Sequence, residues 1–431
     1  MLLLGVCASV PDGPALDVAE RLSWDAPPVI RASGLAPGTA HTLVLERAST
    51  WSPDRLMRSE TAYTANARGR IDTSKQVADG DDELSPYVPI RTMNYLQDTK
   101  PDGLVPGSLR ITLLDAAGEV LDRRTVGIGP DRDALLETPF DEAFPGAFVL
   151  TQAELDGPRP AVVYLGGSEG GDGSARASGP LLAAQGFTVL GLPYHAPSWR
   201  VEPGRFGDLP TDFAELPIDY LESAVAALRE RPDVDPDHIM LVGVSKGALY
   251  ALLAGSLIPD TSPGGGFCGI VANVPSDVVW EGWGRRSDTR YASFSWRGEG
   301  LPFVPYANIA RGINPNDPYT LAQSHADGRA ANPDSVAPAR IAVERIDEPV
   351  LVTGGDKDTV WPSGTMVRNI KAARDAAGLD TLAFVYPEGG HAVSGTPLRR
   401  GTQADTRARQ ETFPATMDFL DAHAQRTDCR G

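Results

Sequence analysis

From about residue 135 to its end the chain alternates short apolar strands with helices, and that rhythm leaves few folds open. The run Ala161-Val162-Val163-Tyr164-Leu165 reads as a strand, followed by a Gly-rich turn and a helix ending near Gly186. Strands are then expected at 187–192, 239–242, 269–272, 350–353 and 382–386. Between them, Ile218, Leu221, Val225 and Leu228 recur three or four apart, which predicts a helix over 218–231. Strands alternating with helices predict a mostly parallel sheet covered on both faces. Such a sheet binds ligands beyond the carboxyl ends of its strands.

The first part of the chain has a different pattern. Residues 28–33 read as a strand ending in the turn Gly34-Leu35-Ala36-Pro37-Gly38. Further short strands are expected at 42–47, 59–65, 69–72 and 109–115, the last running into a turn at 116–119. Strands at these intervals predict an antiparallel, immunoglobulin-like β-sandwich. It holds no catalytic cluster, so its expected role is packing or positioning. With 431 residues the chain suits two domains. We therefore divide it into a tail or remnant signal at 1–17, a β-sandwich at 18–132 and an α/β domain at 133–431.

Charge and cysteines narrow the chemistry. A formal charge of -18 gives no electrostatic footprint for nucleic acid and no attraction to anionic membranes. No apolar run is long enough for a membrane-spanning helix. Cys7, Cys268 and Cys429 are too few for a disulfide framework, and Cys268 reads as a small buried residue before a strand. No CxxC or HExxH spacing is present, so neither a metal nor any other cofactor is expected. The apolar start, Met1 to Ser9, lacks the basic leader of a complete signal peptide. The expected location is cytoplasmic, or exported or periplasmic if that start belongs to a longer signal.

The strongest motif is Gly243-Val244-Ser245-Lys246-Gly247, a G-x-S-x-G directly after a strand and before a helix. In that setting a tight turn lifts the serine hydroxyl into the cleft, and the helix N-terminus favours developing negative charge. A serine hydroxyl needs a base. In the order Ser, acid, His, the candidate bases are His325, His391 and His423. His423 lies in a terminal amphipathic helix and His325 in a polar stretch with no strand before it. His391 follows a strand in Tyr386-Pro387-Glu388-Gly389-Gly390-His391, where a loop carries an imidazole over the serine. Two acids end the preceding strand, Asp356 and Asp358. The Gly-x-x-Asp spacing from Gly355 favours Asp358, leaving Asp356 a turn residue. The loop Gly166-Gly167-Ser168-Glu169-Gly170-Gly171 lacks the Lys-Ser/Thr ending of a phosphate loop. It reads as a backbone donor loop, with the Ser168 or Gly167 N–H joining that of Lys246 in an oxyanion hole.

These motifs, in this order, resemble the acyl-CoA thioesterase and bile acid-CoA:amino acid N-acyltransferase family of α/β-hydrolases. The resemblance covers nearly the whole chain. Its first part is carried by Ile30 to Gly38 and Gly69-Arg70-Ile71-Asp72-Thr73, its second by 165–171, 242–247, Asp358-Thr359-Val360-Trp361-Pro362-Ser363 and 386–391. It supports Asp358 as the acid, three residues before the Trp. It implies hydrolysis of an acyl-CoA or related thioester to free acid and thiol, with a small-molecule substrate and no nucleic acid partner. Members that transfer acyl groups to amino acids carry cysteine at the elbow, so Ser245 favours water as acceptor. The chain departs from the family after Ala272. Between Trp280 and Tyr319, 8 of 40 residues are aromatic, 20% against 7% overall, which suits either a lid or pocket wall or simple packing over the sheet edge. A carboxylesterase on a non-CoA substrate, an N-acyltransferase and a binding protein that merely retains the fold are the competing expectations.

Overall fold

The computed structural model describes residues 13–426 except 53, 98, 156, 200, 203 and 285–288, together with Cys429. The expected tail or signal at 1–17 therefore lies largely outside the described residues. The chain divides into two compact units. One comprises Met1–Asp131 with Pro397–Thr402, the other Arg132–Thr396 with Gln403–Gly431.

The first unit is β-rich. A six-stranded sheet runs in the order Arg21–Leu22, Val120–Ile128, Ser108–Leu114, Ala40–Ala48, Leu56–Thr64, Asn94–Tyr95. A three-stranded sheet joins Ala15–Val18, Ile30–Ser33 and Ile71–Asp72. Side chains on a strand alternate between faces, and Leu43 and Leu45 on one strand and Leu109, Ile111 and Leu113 on the next are all fully buried. Together with Ile30 and Ile71 of the smaller sheet they form one core, to which Leu398 also contributes.

The second unit is built on an eight-stranded sheet. Its strands are β1 (Leu135–Pro139), β2 (Phe148–Gln152), β3 (Arg159–Leu165), β4 (Thr188–Gly191), β5 (Val234–Val244), β6 (Gly269–Asn273), β7 (Val350–Gly355) and β8 (Thr381–Tyr386). They lie in the order β1-β2-β4-β3-β5-β6-β7-β8. β1, β2 and β4 pair antiparallel, and all pairs from β4 through β8 are parallel. The helices that bear on the site are α1 (Gly173–Ala183), α2 (Ile218–Arg229), α3 (Lys246–Leu257), α4 (Leu321–Ala331), α5 (Ser363–Ala376) and α6 (Gln403–His423). The central strands are apolar throughout: Ala161, Val162, Val163, Ile239, Met240 and Leu241 are all fully buried, as a sheet covered on both faces requires. On α2, Ile218, Leu221, Val225 and Leu228 form the buried stripe that their spacing predicts. The protein thus has an α/β-hydrolase domain with a β-rich unit before it.

Two features correct the reading of the sequence. β1 and β2 extend the sheet by an antiparallel edge that the strand–helix rhythm does not announce. Cys268 is buried before β6 as expected, but it is no lone apolar residue, because it forms a disulfide with Cys429 across 161 residues. That bond ties the end of the chain to the base of β6.

Candidate active site

Ser245 stands between the end of β5 and the first residue of α3, at φ 57 and ψ -120. A non-glycine residue in this region carries strain of about 1–3 kcal/mol, held by its surroundings. Its amide donates to the Asn273 carbonyl at the end of β6 (2.9 Å). The flanking glycines have a steric cause. A Cβ on Gly243 would meet the Gly247 carbonyl oxygen at 2.3 Å, and one on Gly247 would meet the Leu165 and Gly166 oxygens at 2.2 and 2.3 Å. Backbone cannot yield to such contacts, so the turn closes only with hydrogen at both positions.

His391 reaches this serine from the loop after β8. Its Nε2 lies 3.0 Å from Ser245 Oγ and its Nδ1 2.7 Å from Asp358 Oδ2. Asp358 follows β7 and is buried. Its Oδ1 accepts the amides of Val360 (2.8 Å) and Trp361 (3.3 Å), and its Oδ2 accepts the Ser363 hydroxyl (2.6 Å). The competing acid turns elsewhere. Asp356 forms a two-pronged ion pair with Arg368, at 2.8 and 2.7 Å, and that pair holds its carboxyl below the usual range. The other histidines are also accounted for. His423 ends α6, and His325 is buried on α4. α4 opens on a reciprocal Thr320–Gln323 cap, so the stretch around His325 is helix where only a polar segment is legible in the sequence.

The Gly-rich loop after β3 runs alongside the serine. A Cβ on Gly167 would sit 3.2 Å from the Ser245 Cβ. Within the loop, Glu169 Oε1 accepts the Gly167 amide (3.0 Å) and the Ser174 hydroxyl (2.8 Å). Tyr194 donates its hydroxyl to the Gly166 carbonyl (2.7 Å). The Gly167 N–H is therefore engaged inside its own loop, which leaves Ser168 as the loop's oxyanion candidate. Lys246, the first residue of α3, has an amide with no partner within the helix by position.

The histidine loop is buttressed by α6. Asp405 Oδ1 accepts the Gly390 amide (2.7 Å), Arg409 Nη1 donates to the Ala392 carbonyl (2.7 Å) and the Thr412 hydroxyl donates to that of Val393 (3.0 Å). Motif reading does not find these supports, nor Ser363 and Glu169, because each acts through a partner distant from its own motif or inside a turn. One weak signal exists: Ser363 belongs to the run that begins at Asp358.

Aromatics of the 280–319 segment stand close by. Trp283 stacks on Phe213 (ring centroids 4.4 Å) and Trp280 on Tyr306 (5.7 Å). The Lys246 Nζ lies 5.2 Å from the Trp283 ring and 5.9 Å from the Tyr306 ring. Those rings therefore wall the residue that follows the nucleophile. Away from this site, His238, Cys268 and Cys429 have ligand atoms within 4.8 Å of one another. Both sulfurs are joined in the disulfide, and His238 contacts Asp235 (2.9 Å) and the Arg426 carbonyl (2.5 Å), so the cluster offers no thiolate as it stands. Among the described residues no helix is long and apolar enough to cross a membrane.

The sheet order, the strained serine at the β5–α3 turn and the hydrogen-bonded Ser–His–Asp chain define an α/β-hydrolase, and the protein is a hydrolase. Comparison with known proteins narrows the class. A family described as "BAAT / Acyl-CoA thioester hydrolase C terminal" matches residues 305–399. Acyl-coenzyme A thioesterase 1 of Homo sapiens is 29% identical over 401 residues, covering 88% of this chain and 85% of its own. The mitochondrial acyl-coenzyme A thioesterase 2 of the same organism is 28% identical over 401 residues, covering 88% and 74%. Among solved structures, a truncated carbohydrate esterase from gut microbiota aligns with a TM-score of 0.43 at 16% identity, over 69% of this chain and 99% of that one. The chain is thus similar to members of the acyl-CoA thioesterase and bile acid-CoA:amino acid N-acyltransferase family.

Proposed function

We propose that the chain hydrolyses acyl-CoA or related acyl thioesters to free acid and thiol through an acyl-enzyme on Ser245. The observation that carries this reading is the continuous hydrogen-bond chain from Ser245 Oγ through His391 to Asp358, at 3.0 and 2.7 Å. His391 Nε2 takes the serine proton as Oγ attacks the thioester carbonyl. Asp358 holds the Nδ1–H tautomer and stabilises the imidazolium without taking the proton. The amides of Lys246 and Ser168 receive the developing oxyanion, and losing one such donor typically costs about 100- to 1000-fold in rate. His391 then returns its proton to the leaving sulfur. In the second half it activates water against the acyl-enzyme. Serine at the elbow favours water over an amine as acceptor.

A second reading, ester hydrolysis on a non-CoA substrate outside the cytosol, is favoured by the Cys268–Cys429 disulfide. Such bonds persist in oxidising compartments, whereas CoA esters are largely intracellular. A substrate panel separates the two. Thiol release from acyl-CoA thioesters of graded length is compared with hydrolysis of oxygen esters carrying the same acyl groups. The thioesterase reading expects higher kcat/KM on the thioesters, with turnover lost in Ser245→Ala and His391→Ala. Higher kcat/KM on the oxygen esters supports the second reading. Unchanged turnover in Ser245→Ala overturns both.

A further inference from the structure

Beside the nucleophile lies a pair of buried polar groups that the hydrolytic chemistry does not use. The Lys246 side chain leaves α3 one residue after Ser245 and is buried, 4% exposed. Its ammonium is surrounded by the rings of Trp361 (5.1 Å), Trp283 (5.2 Å), Phe213 (5.6 Å) and Tyr306 (5.9 Å). Those π faces partly compensate a buried cation. Its one polar partner among the described residues is the Tyr306 hydroxyl, at 3.2 Å. A lysine carries three N–H donors, so donors remain unmatched in a dry environment. Burial pushes this amine down to about 7.

His325 flanks the same two rings. Its ring centroid lies 5.0 Å from Tyr306 and 5.7 Å from Trp361. It is 4% exposed, and its Nε2 has no hydrogen-bond partner among the described residues. The tautomer follows from the other nitrogen. Nδ1 lies 2.7 Å from the Leu321 carbonyl oxygen, which only accepts, so Nδ1 carries the proton. Burial, with the Lys246 charge adding to it, drives this imidazole down to about 3, so it is neutral. The free Nε2 is therefore a lone-pair acceptor.

Unsatisfied donors and an unsatisfied acceptor around one pair of rings specify their complement. Buried polar atoms without partners are rare in native structures, and a pair of them beside a reacting centre is explained by a polar group that enters with the substrate. A carboxylate satisfies the lysine but meets the Nε2 lone pair with another. A methylene satisfies neither. A hydroxyl does both, accepting from Lys246 and donating to His325. The site lies next to the reacting groups, since Trp361 stands 6.0 Å, ring to ring, from His391. We propose that Lys246 and His325 form a subsite for a hydroxyl group on the acyl moiety, so that the preferred substrates are hydroxylated acyl thioesters. This rests on the thioester-hydrolase reading above.

The test is a set of matched acyl thioesters of one chain length, with the hydroxyl absent or placed at the 2-, 3-, 4- or terminal carbon. Sites built to hydrogen-bond a substrate hydroxyl reject the analogue lacking it, by orders of magnitude in the strongest cases. We expect at least one hydroxylated thioester to exceed its deoxy partner in kcat/KM by about 10-fold or more. That ratio falls toward one in Lys246→Met, which retains the backbone amide, and in His325→Phe. Equal or lower kcat/KM for every hydroxylated thioester in the native protein overturns the proposal, and this arm needs no variant to fold. A preference that persists in both folded variants also overturns it. If deoxy thioesters are cleaved well and the hydroxyl brings nothing, the subsite fails and the thioesterase reading stands. If no thioester is cleaved, or Ser245→Ala retains turnover, the underlying reading fails and takes the subsite with it.

Discussion

Replacing Asp358 by Asn changes one atom, yet the structure predicts a large loss. All four hydrogen bonds at this carboxylate are donated to it: two backbone amides on Oδ1, and the Ser363 hydroxyl and His391 Nδ1 on Oδ2. An Asn must put its NH2 on one side or the other. The amides of Val360 and Trp361 are fixed and cannot turn away, whereas the Ser363 hydroxyl rotates. The NH2 therefore faces His391, which must answer with an Nδ1 lone pair. Its proton then sits on Nε2, pointing at Ser245 Oγ, and the ring cannot act as base. A wrong tautomer of this kind costs about 10^4 in kcat, or about 5.5 kcal/mol at 1.36 kcal/mol per decade. Asp356→Asn is the control. It breaks an exposed pair with Arg368, worth about 0–1 kcal/mol of stability, and leaves kcat within about 2-fold. Steady-state thiol release by both variants, with thermal melts to verify folding, measures the contrast. A folded Asp358→Asn within 10-fold of the native kcat refutes the reasoning, as does an equal loss in Asp356→Asn.

Two further predictions concern stability. Burial raises Glu348 from its ordinary 4.5 to about 7. Between those values the folded chain holds a proton that the unfolded chain has lost, so this group's contribution to stability falls as pH rises through the window. Glu348→Gln keeps the acceptor for the Phe267 amide. It is expected to stabilise the protein by about 3 kcal/mol above pH 7, at 1.36 kcal/mol per unit, and to bring no gain below pH 4.5. Denaturant melts at pH 4 and pH 8 measure this, and equal effects at both contradict it. The Cys268–Cys429 bond closes a loop of 161 residues. Chain entropy assigns such a closure about 5 kcal/mol, and bridges typically deliver about 2–4. Reduction should therefore lower the unfolding free energy by that amount. Thiol titration of the unreduced, denatured chain should find one thiol of its three cysteines, and finding three contradicts the bond.

The candidate site is legible in the sequence where chemistry and local turn geometry coincide. Ser245 sits in a pentapeptide whose glycines are dictated by contacts inside the turn, and His391 follows a strand in a loop free to approach it. Asp358 and Asp356 were harder to separate, since both end the same strand. What separates them, the Ser363 hydroxyl and the Trp361 amide on one and Arg368 on the other, depends on how α5 starts. Features that depend on distant pairing left little local trace. β1 is a half-exposed edge strand without apolar alternation, so nothing in its composition reveals that it pairs with β2. The partner of Cys268 stands 161 residues away, a distance that spacing rules cannot bridge. The role of Pro397–Thr402 in the first unit is equally invisible, because six residues carry no periodicity. In the Gly-rich loop, the donor taken up by Glu169 is a property of the folded turn rather than of the motif.

The most direct test of the account is where an acyl-enzyme mimic forms. The native protein is treated with a fluorophosphonate, digested and mapped by peptide mass. We predict a single adduct on the peptide containing Ser245, hydrolysis lost in proportion to labelling, and neither label nor turnover in Ser245→Ala. An adduct on another residue, or an unlabelled protein that still cleaves acyl thioesters in the Ser245→Ala form, contradicts the central claim.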